Sequence, residues 1–347
     1  MSSKTKSVTA VLIVLALVAG VGMTKAGSKY KTQDKVNLIF ANVTSNSAKK
    51  AGEKFKELVE EYSDGDITVD LFQDNQLGDD KTAAEGVQNG DIDIAVSSNS
   101  SLSTLYKDYY IYDTPYLFLN SQEVYDVGFD GKAAQEMLKG VSKVGLKHMA
   151  MWENGFRNYT NNDHAIETPA DCKGQKIRTM ENPIHLKAWK SIGANPTPMA
   201  FSELFTAMQQ GTVDGEENPI GIIYSNRFYE VQKYISLTQH VYTPYVVVMN
   251  PDKYDSLTDE QQEIIDKAMK EASAYQLEVS AKDEEEGIKE MEKYGCEVNT
   301  LTDDQKKEFQ KLIEDADVFS LAKSSMEHPE YFDKIQKELT QYREEGK

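Results

Sequence analysis

The stretch VNLIFANVTSNSAKKAGEKFKELVEEYSDGDITVDLF, residues 36–72, decides the fold class. Its first six residues form a mostly apolar, β-prone run, and its last six alternate between apolar and polar side chains. Both ends are therefore predicted to be strands. Between them, Phe55, Leu58 and Val59 recur at helical spacing, and Gly65 follows the end of that helix.

The same alternation continues along the chain. A helix at 81–89 and a third strand at 92–96 complete an order that is typical of a parallel sheet covered by helices. The pattern restarts downstream, with strands predicted at 146–152, 176–179 and 246–249 and helices at 184–192 and 202–210. Apolar periodicity from 259 to about 294 predicts a long helix that either breaks or bridges two parts of the fold. The sequence thus predicts an α/β protein with two lobes, each with a helix-covered β-sheet, around a central cleft.

The N-terminus has the three parts of a secretory signal peptide. Lys4 and Lys6 precede an uncharged apolar run, and Thr24 and Ala26 place small residues near a cleavage site. The run is shorter than the roughly 20 residues that a spanning helix needs. We therefore assign residues 1–26 to a signal peptide, with an uncleaved anchor as the alternative, and expect a soluble, exported protein.

Charge and cysteine content narrow the class of partner. The net charge of −19 argues against nucleic acid and anionic membranes. An anionic ligand gains nothing from such a field, so an anion site must be built locally from arginines or backbone N–H groups. Cys172 and Cys296 are the only cysteines. Two unpaired, partly buried thiols are expected rather than a disulfide, although the spacing does not fix their geometry.

Motifs of common catalytic and metal sites are missing from the sequence, among them GxSxG, HExxH, CxxC, GxGxxG and GxxxxGK[ST]. The five histidines form no i, i+4 pair. Asp64, Asp66 and Asp70 resemble a calcium loop only in part, since the glycine and the distal glutamate are misplaced. The sequence therefore predicts no catalytic residues, no metal and no cofactor.

Several longer motifs occur in an order that is typical of one family. The strongest are GQKIRTM at 174–180, GANPTPMAFSEL at 193–204 and QQGTVDGEENP at 209–219. Supporting motifs are QLGD at 76–79, TPYLF at 114–118, NGFRNYT at 154–160 and FYEVQK at 228–233. With these motifs the chain resembles the substrate-binding subunit of tripartite ATP-independent periplasmic (TRAP) transporters over most of its length after residue 26.

The resemblance implies a periplasmic binding protein-like fold that is divided into two lobes. Lobe I would comprise residues 27–154 plus about 244–283, and lobe II residues 155–243 plus about 284–347. The long C-terminal helix would bridge the two lobes.

The resemblance also implies that Arg178 forms the principal salt bridge to a ligand carboxylate, assisted by Arg157 and Asn218. A planar guanidinium at a strand end matches a carboxylate with two parallel hydrogen bonds, which lysine cannot offer. From residue type alone, either arginine could equally form a surface or interdomain ion pair. Asn218 could likewise be a turn asparagine, since Pro219 forces an extended residue before it.

The resemblance also implies which residues would hold the principal arginine in place and which would select the ligand. Glu217 and His240 match positions near the principal arginine and would hold it while the site is empty. Glu216 departs from the family, which usually has glutamine there, and we expect this extra carboxylate to face solvent.

Ligand choice would fall to Asn42 and Ser98 in lobe I; family members that bind sialic acid have glutamate at the Ser98 position, so that ligand is disfavoured. Glu181 would either accept hydrogen bonds from sugar hydroxyls or be an acid at a helix N-terminus. Phe201 would pack either on the ligand or in the core.

These observations predict an exported solute-binding protein, not an enzyme, in the periplasm. It would be a monomer that captures a small organic acid and delivers it to TRAP membrane permease subunits. A sugar acid such as a uronate or aldonate is favoured over a C4-dicarboxylate or 2-oxo acid. The alternatives are a receptor that presents its ligand to a sensor kinase or chemoreceptor, and an extracytoplasmic lyase or hydrolase.

Overall fold

A computed structural model describes residues 35–346, so the signal-peptide prediction for 1–26 lies outside the described residues. The strands are β1 Val36–Ala41, β2 Ile67–Phe72, β3 Ile94–Ser98, β4 Lys147–Asn161, β5 Lys176–Thr179, β6 Asn195–Pro198, β7 Gly215–Pro219, β8 Tyr234–Leu237, β9 Tyr242–Met249 and β10 Glu297–Thr300. The helices are α1 Asn46–Tyr62, α2 Asp80–Asn89, α3 Asn99–Leu102, α4 Ser121–Glu123, α5 Lys132–Leu138, α6 Pro183–Ser191, α7 Phe201–Gln209, α8 Ile220–Ser225, α9 Pro251–Asp255, α10 Asp259–Tyr294, α11 Asp303–Asp315, α12 Val318–Ser325 and α13 Glu330–Glu344.

The first sheet has the strand order β2-β1-β3-β9-β4. β1 pairs in parallel with β2 and β3, as the sequence predicts. β9 runs antiparallel to β3, and β4 runs antiparallel to β9, so the sheet is mixed rather than wholly parallel. Every residue of β9 is buried, which agrees with its mostly apolar sequence YTPYVVVM.

The second sheet shares strand β4 with the first. Residues 147–156 of β4 pair with β9, whereas residues 157–161 pair with β7 and β8. The remaining strands give the order β10-β8-β4-β7-β5-β6. Register irregularities precede the crossing, where Gly155 has φ 113°. A positive φ of this kind suits glycine, which has no Cβ to clash.

Helix α1 shows how local sequence fixes the elements that cover the first sheet. The side chain of Ser45 accepts a hydrogen bond from the backbone N–H of Ala48, which caps the helix N-terminus. Its apolar face is buried, and Phe55 meets Phe40 of β1 edge to face, with ring centroids 5.5 Å apart. The helix is therefore held by the amphipathic pattern that predicted it.

Helix α10 is one continuous helix of 36 residues. It contacts elements of both sheets: Gln276 Nε2 donates to Ser47 Oγ of α1 at 3.0 Å and to the carbonyl of Glu153 in β4 at 2.7 Å. Further along, Gly287 lies so close to Tyr224 of α8 that a Cβ on this glycine would be 3.0 Å from the tyrosine Cβ. The helix therefore bridges the two lobes, as predicted, and does not break.

The C-terminal helices pack back onto the segment between β3 and β4. His328 Nδ1 lies 2.7 Å from a carboxylate oxygen of Asp108, and Arg343 Nη2 lies 2.7 Å from Glu123 Oε2. The two-lobed α/β fold class is confirmed, while the lobe boundaries near 154, 243 and 283 stay a prediction. Among residues 35–346, no helix combines the length and the apolar character that a membrane span requires.

Both cysteines are free, as expected, and both are buried rather than partly buried. Cys172 is fully enclosed, and Cys296 Sγ lies 3.4 Å from the carbonyl of Gln232. Burial raises the pKa of the Cys172 thiol to about 12. The thiols contribute to packing as small apolar side chains.

Candidate functional site

A cleft with an empty volume of about 930 Å³, open solvent included, lies beside the strand ends of both sheets. Its walls come from residues within β3, β4, β5, β7 and β9 and from the segments that follow β1, β2, β3, β5, β6 and β7. Ligands of α/β proteins commonly bind at such carboxyl ends of strands. The cleft is lined by six of the seven residues predicted to contact a ligand, namely Ser98, Arg157, Arg178, Glu181, Phe201 and Asn218.

Arg178 presents a buried guanidinium to this cleft. The residue is 2% exposed, and its Nε and Nη2 donate to the carbonyl of Met199 at 3.2 and 2.9 Å. Burial and the nearby charge of Arg157 lower the pKa of Arg178 to about 10, so it remains a cation at neutral pH. Phe201 lies beside it, with the ring centroid 5.9 Å from the guanidinium carbon. Phe201 therefore packs on the arginine at the cleft wall.

Arg157 lies at the first residue of β4 that pairs within the second sheet, and it is paired with Glu217. Its Nε and Nη2 lie 2.5 and 2.9 Å from the two carboxylate oxygens of Glu217, and Nη2 also donates to the Glu217 carbonyl. Burial favours the neutral acid, but the charge of Arg157 and hydrogen bonds from His240 and Arg157 outweigh it. They hold the pKa of Glu217 well below its usual range.

His240 completes this buried network. Its Nε2 lies 2.9 Å from Glu217 Oε2, and its Nδ1 lies 2.8 Å from Thr238 Oγ1. Burial lowers the pKa of His240, so the ring is neutral, donates from Nε2 and accepts at Nδ1. Glu217 thus holds Arg157 directly and His240 holds Glu217, whereas the sequence had placed both next to the principal arginine.

Asn218 lies in strand β7 rather than in a turn, and its amide contacts two ionisable side chains. Its Oδ1 accepts from Arg157 Nη2 at 3.1 Å, and its Nδ2 donates to Glu216 Oε2 at 2.5 Å. The expectation that Glu216 faces solvent is wrong, because its side chain is fully buried and its Oε1 lies 3.0 Å from the hydroxyl of Thr160 in the adjacent strand β4. Strand alternation places the side chains of Glu216 and Asn218 on the same face of β7, and on that face Glu216 is covered by protein and not by water.

Asn42 is the one predicted ligand residue that does not line the cleft. Its Nδ2 donates to the carbonyl of Ala48 at 2.8 Å, and its Oδ1 accepts from the N–H of Val43 at 2.9 Å. The amide therefore stabilises the turn between β1 and α1. Among the described residues, no group of three or more His, Cys, Asp or Glu side chains is placed to hold a metal ion.

The sequence matches the family model DctP, bacterial extracellular solute-binding protein, family 7, over residues 40–317. The chain belongs to this family. The family contains solute-binding proteins of TRAP transporters, so the predictions of a TRAP substrate-binding subunit and of a protein that is not an enzyme are confirmed. Membership implies a small carboxylate ligand and membrane permease partners.

Three relatives illustrate the range of this solute-binding family. The 2,3-diketo-L-gulonate-binding periplasmic protein YiaO of Escherichia coli (strain K12) is 38% identical over 72% of this chain and 76% of the relative. The C4-dicarboxylate-binding protein DctB of Bacillus subtilis (strain 168) is 33% identical over 75% of each chain. The crystal structure of the sugar acid binding protein DctPAm from Advenella mimigardefordensis strain DPN7T in complex with galactonate has a TM-score of 0.84 at 30% identity. That match covers 89% of this chain and 99% of the other.

In this family 7 protein, the two interpretations of Glu181 can be separated by position. Helix α6 begins after Asn182, whose side chain caps it, and its first turn contains no acid. Glu181 precedes the cap, is exposed and lines the cleft. The position therefore favours contact with a ligand over stabilisation of the helix.

Sequence reasoning missed Asp80 and Asn154, which also line the cleft. Asp80 is the first residue of α2, and its Oδ2 accepts from the N–H of Ser98 at 2.7 Å. Burial raises the pKa of Asp80 to about 6, although Arg178 opposes the rise. The QLGD motif at 76–79 was the available signal, because Asp80 follows it directly. The sequence indicated no function for this motif, whereas the structure places the residue that follows it in the cleft lining.

Proposed function

We propose that this solute-binding protein captures a sugar acid, such as a uronate or an aldonate, through a salt bridge from its carboxylate to Arg178. One observation carries the proposal: Arg178 is buried, yet its hydrogen bonds go to a carbonyl, and no ion pair to it occurs among residues 35–346. A buried cation without a partner is costly. A ligand carboxylate would supply the missing charge and form charge-assisted hydrogen bonds.

The other groups in the cleft favour hydroxyls on the rest of the ligand. Asp80 and Glu181 offer acceptor oxygens, and Asn154 and Ser98 offer groups that both donate and accept. A second ligand carboxylate would meet the acids Asp80 and Glu181, which disfavours a C4-dicarboxylate. The names of the Escherichia coli relative and of the galactonate complex, both of which denote sugar acids, support this choice.

The delivery step follows from family membership. The protein would act as a monomer in the periplasm, close around its ligand and hand it to TRAP permease subunits. Closure excludes water, which strengthens the contact between guanidinium and carboxylate. Periplasmic relatives support the location.

A thermal-shift and calorimetry screen of aldonates, uronates, C4-dicarboxylates and 2-oxo acids tests this function. A ligand at a hundredfold excess over its dissociation constant stabilises by about 2.7 kcal/mol. Arg178→Ala should remove that shift and leave a folded protein. Arg227→Ala is the matched control, because Arg227 is 64% exposed and pairs with Glu230. Tight binding by Arg178→Ala, or a preference for dicarboxylates, would refute the proposal.

A further inference from the structure

Glu216 lies directly behind the cleft amide of Asn218. In the strand registers it is opposite Thr160 of β4 and beside Arg178 of β5, and its side chain is fully buried. Its Oε2 accepts from Asn218 Nδ2. Its protonation therefore bears on a group that lines the ligand cleft.

The hydroxyl of Thr160 identifies which form of Glu216 fits this position. Thr160 Oγ1 lies 3.0 Å from Glu216 Oε1 and 3.0 Å from Gln232 Oε1. The amide of Gln232 is oriented by its other end, since Nε2 donates to the carbonyl of Val231 at 2.8 Å. One hydroxyl proton cannot serve two acceptor oxygens. A proton on Glu216 completes the chain, because Glu216 then donates to Thr160 and Thr160 donates to Gln232.

The charges around Glu216 favour the same form. The titratable groups that interact electrostatically with Glu216 are Glu217 on its own strand, Arg157 and Tyr159 on β4, and Arg178 on β5. Burial, with the negative charge of Glu217 adding to it, raises the pKa of Glu216 to about 7. Arg157 is already paired with Glu217. An ionised Glu216 would therefore partly neutralise the positive charge of the arginines, and a ligand carboxylate would be attracted less strongly.

We propose that Glu216 is a positioning residue that acts as a neutral acid, holding Asn218 for the ligand, and that ionisation of Glu216 weakens ligand binding. The inference rests on the proposed function. The neutral acid donates to Thr160 and accepts from Asn218. The carboxylate loses the first bond and adds negative charge beside the anionic ligand.

The sign of the pH effect follows. The binding-competent form is protonated, so affinity is full below the pKa of Glu216 and falls as the pH rises through it. The apparent dissociation constant increases as the competent fraction decreases, by about tenfold between about pH 6 and pH 8. By reciprocity, binding of an anion makes Glu216 take up a proton.

Glu216→Gln is the decisive variant, since its amide donates to Thr160 and accepts from Asn218 as the neutral acid does. The first measurement uses the exported protein without ligand. An infrared titration between about pH 5 and pH 9 should show a protonated-carboxyl C=O band that Glu216→Gln removes. Glu153→Gln is the matched control, because burial also raises the pKa of Glu153 to about 7 and it lies outside the cleft lining. Absence of any band that depends on Glu216 would overturn the proposal.

The second measurement is calorimetric titration with D-galactonate and D-glucuronate across the same pH range. Wild type should lose about ten times more affinity than Glu216→Gln on going from about pH 6 to pH 8, because the contribution of Asp80 is common to both. Equal pH slopes in the two proteins would overturn the proposal. If neither probe binds wild type at any pH, the sugar-acid function fails, and the infrared titration still decides the protonation of Glu216.

Discussion

Glu217→Gln should strongly destabilise the empty protein, because it leaves the guanidinium of Arg157 buried without its countercharge. The wild-type carboxylate accepts from Arg157 Nε at 2.5 Å, from Arg157 Nη2 at 2.9 Å and from His240 Nε2 at 2.9 Å. Removing one partner of a buried ion pair costs about 3–5 kcal/mol. Glutamine keeps the volume and one acceptor oxygen, so we expect about 3 kcal/mol.

Urea unfolding measures this loss. With a slope of about 1–3 kcal/mol per molar urea, the midpoint should fall by about 1 M or more while the slope stays constant. The low pKa of Glu217 means that the pair stabilises the protein above the carboxyl's unfolded-state pKa and that this stability is lost as the pH falls. The variant should lack that acid-dependent loss.

The pair of Arg227 and Glu230, in which the arginine is 64% exposed, supplies the control for Glu217→Gln. Glu230→Gln should change the midpoint little, since water already screens that pair. A saturating ligand should raise the midpoint of Glu217→Gln more than that of wild type, because its carboxylate restores a countercharge. Equal midpoints for Glu217→Gln and Glu230→Gln would show that our account of the buried network is mistaken.

Two further predictions concern packing. Gly215→Ala would place a Cβ 2.1 Å from the carbonyl oxygen of Thr160, so β7 and β4 must separate. We expect a loss of about 1–3 kcal/mol in urea unfolding, and unchanged stability would contradict the close approach. A thiol reagent should leave Cys172 and Cys296 unlabelled in the native protein and label both after unfolding. Rapid labelling of the native protein would contradict their burial.

Local patterns predicted about half of the strands and helices, because a strand or helix with one apolar face carries its own period. The strands at 36–41 and 67–72 and the helix from Asp259 to Tyr294 agree with prediction. The pairing of strands that lie far apart in the sequence could not be predicted from such local patterns. The insertion of β9 between β3 and β4 joins distant parts of the chain, and β4 extends to Asn161 through polar residues that interrupt its apolar pattern. Those residues are buried because partners from other strands satisfy them.

The site was predictable to the extent that family motifs placed residues on strand ends. Arg178, Arg157 and Asn218 meet at one cleft, as the motifs indicated. The environment of Glu216 was not predictable, because residue type suggests solvent while burial depends on β4 and β5. Asn42 failed to reach the cleft for a related reason, since its amide satisfies the neighbouring backbone. The role of a polar side chain depends on the residues that it contacts in the fold. A sequence does not show which residues those are.

The pairing of β3 with β9 sets a condition on how the chain can be made. Ile94 pairs with Met249 and Ser98 with Tyr245, so contact order is high for this part of the first sheet. Until residue 249 has left the ribosome, the nascent chain carries an apolar strand with one open edge. Such an edge invites pairing with a second chain. A chaperone that shields residues 94–98 until β9 arrives would therefore raise the yield of native protein.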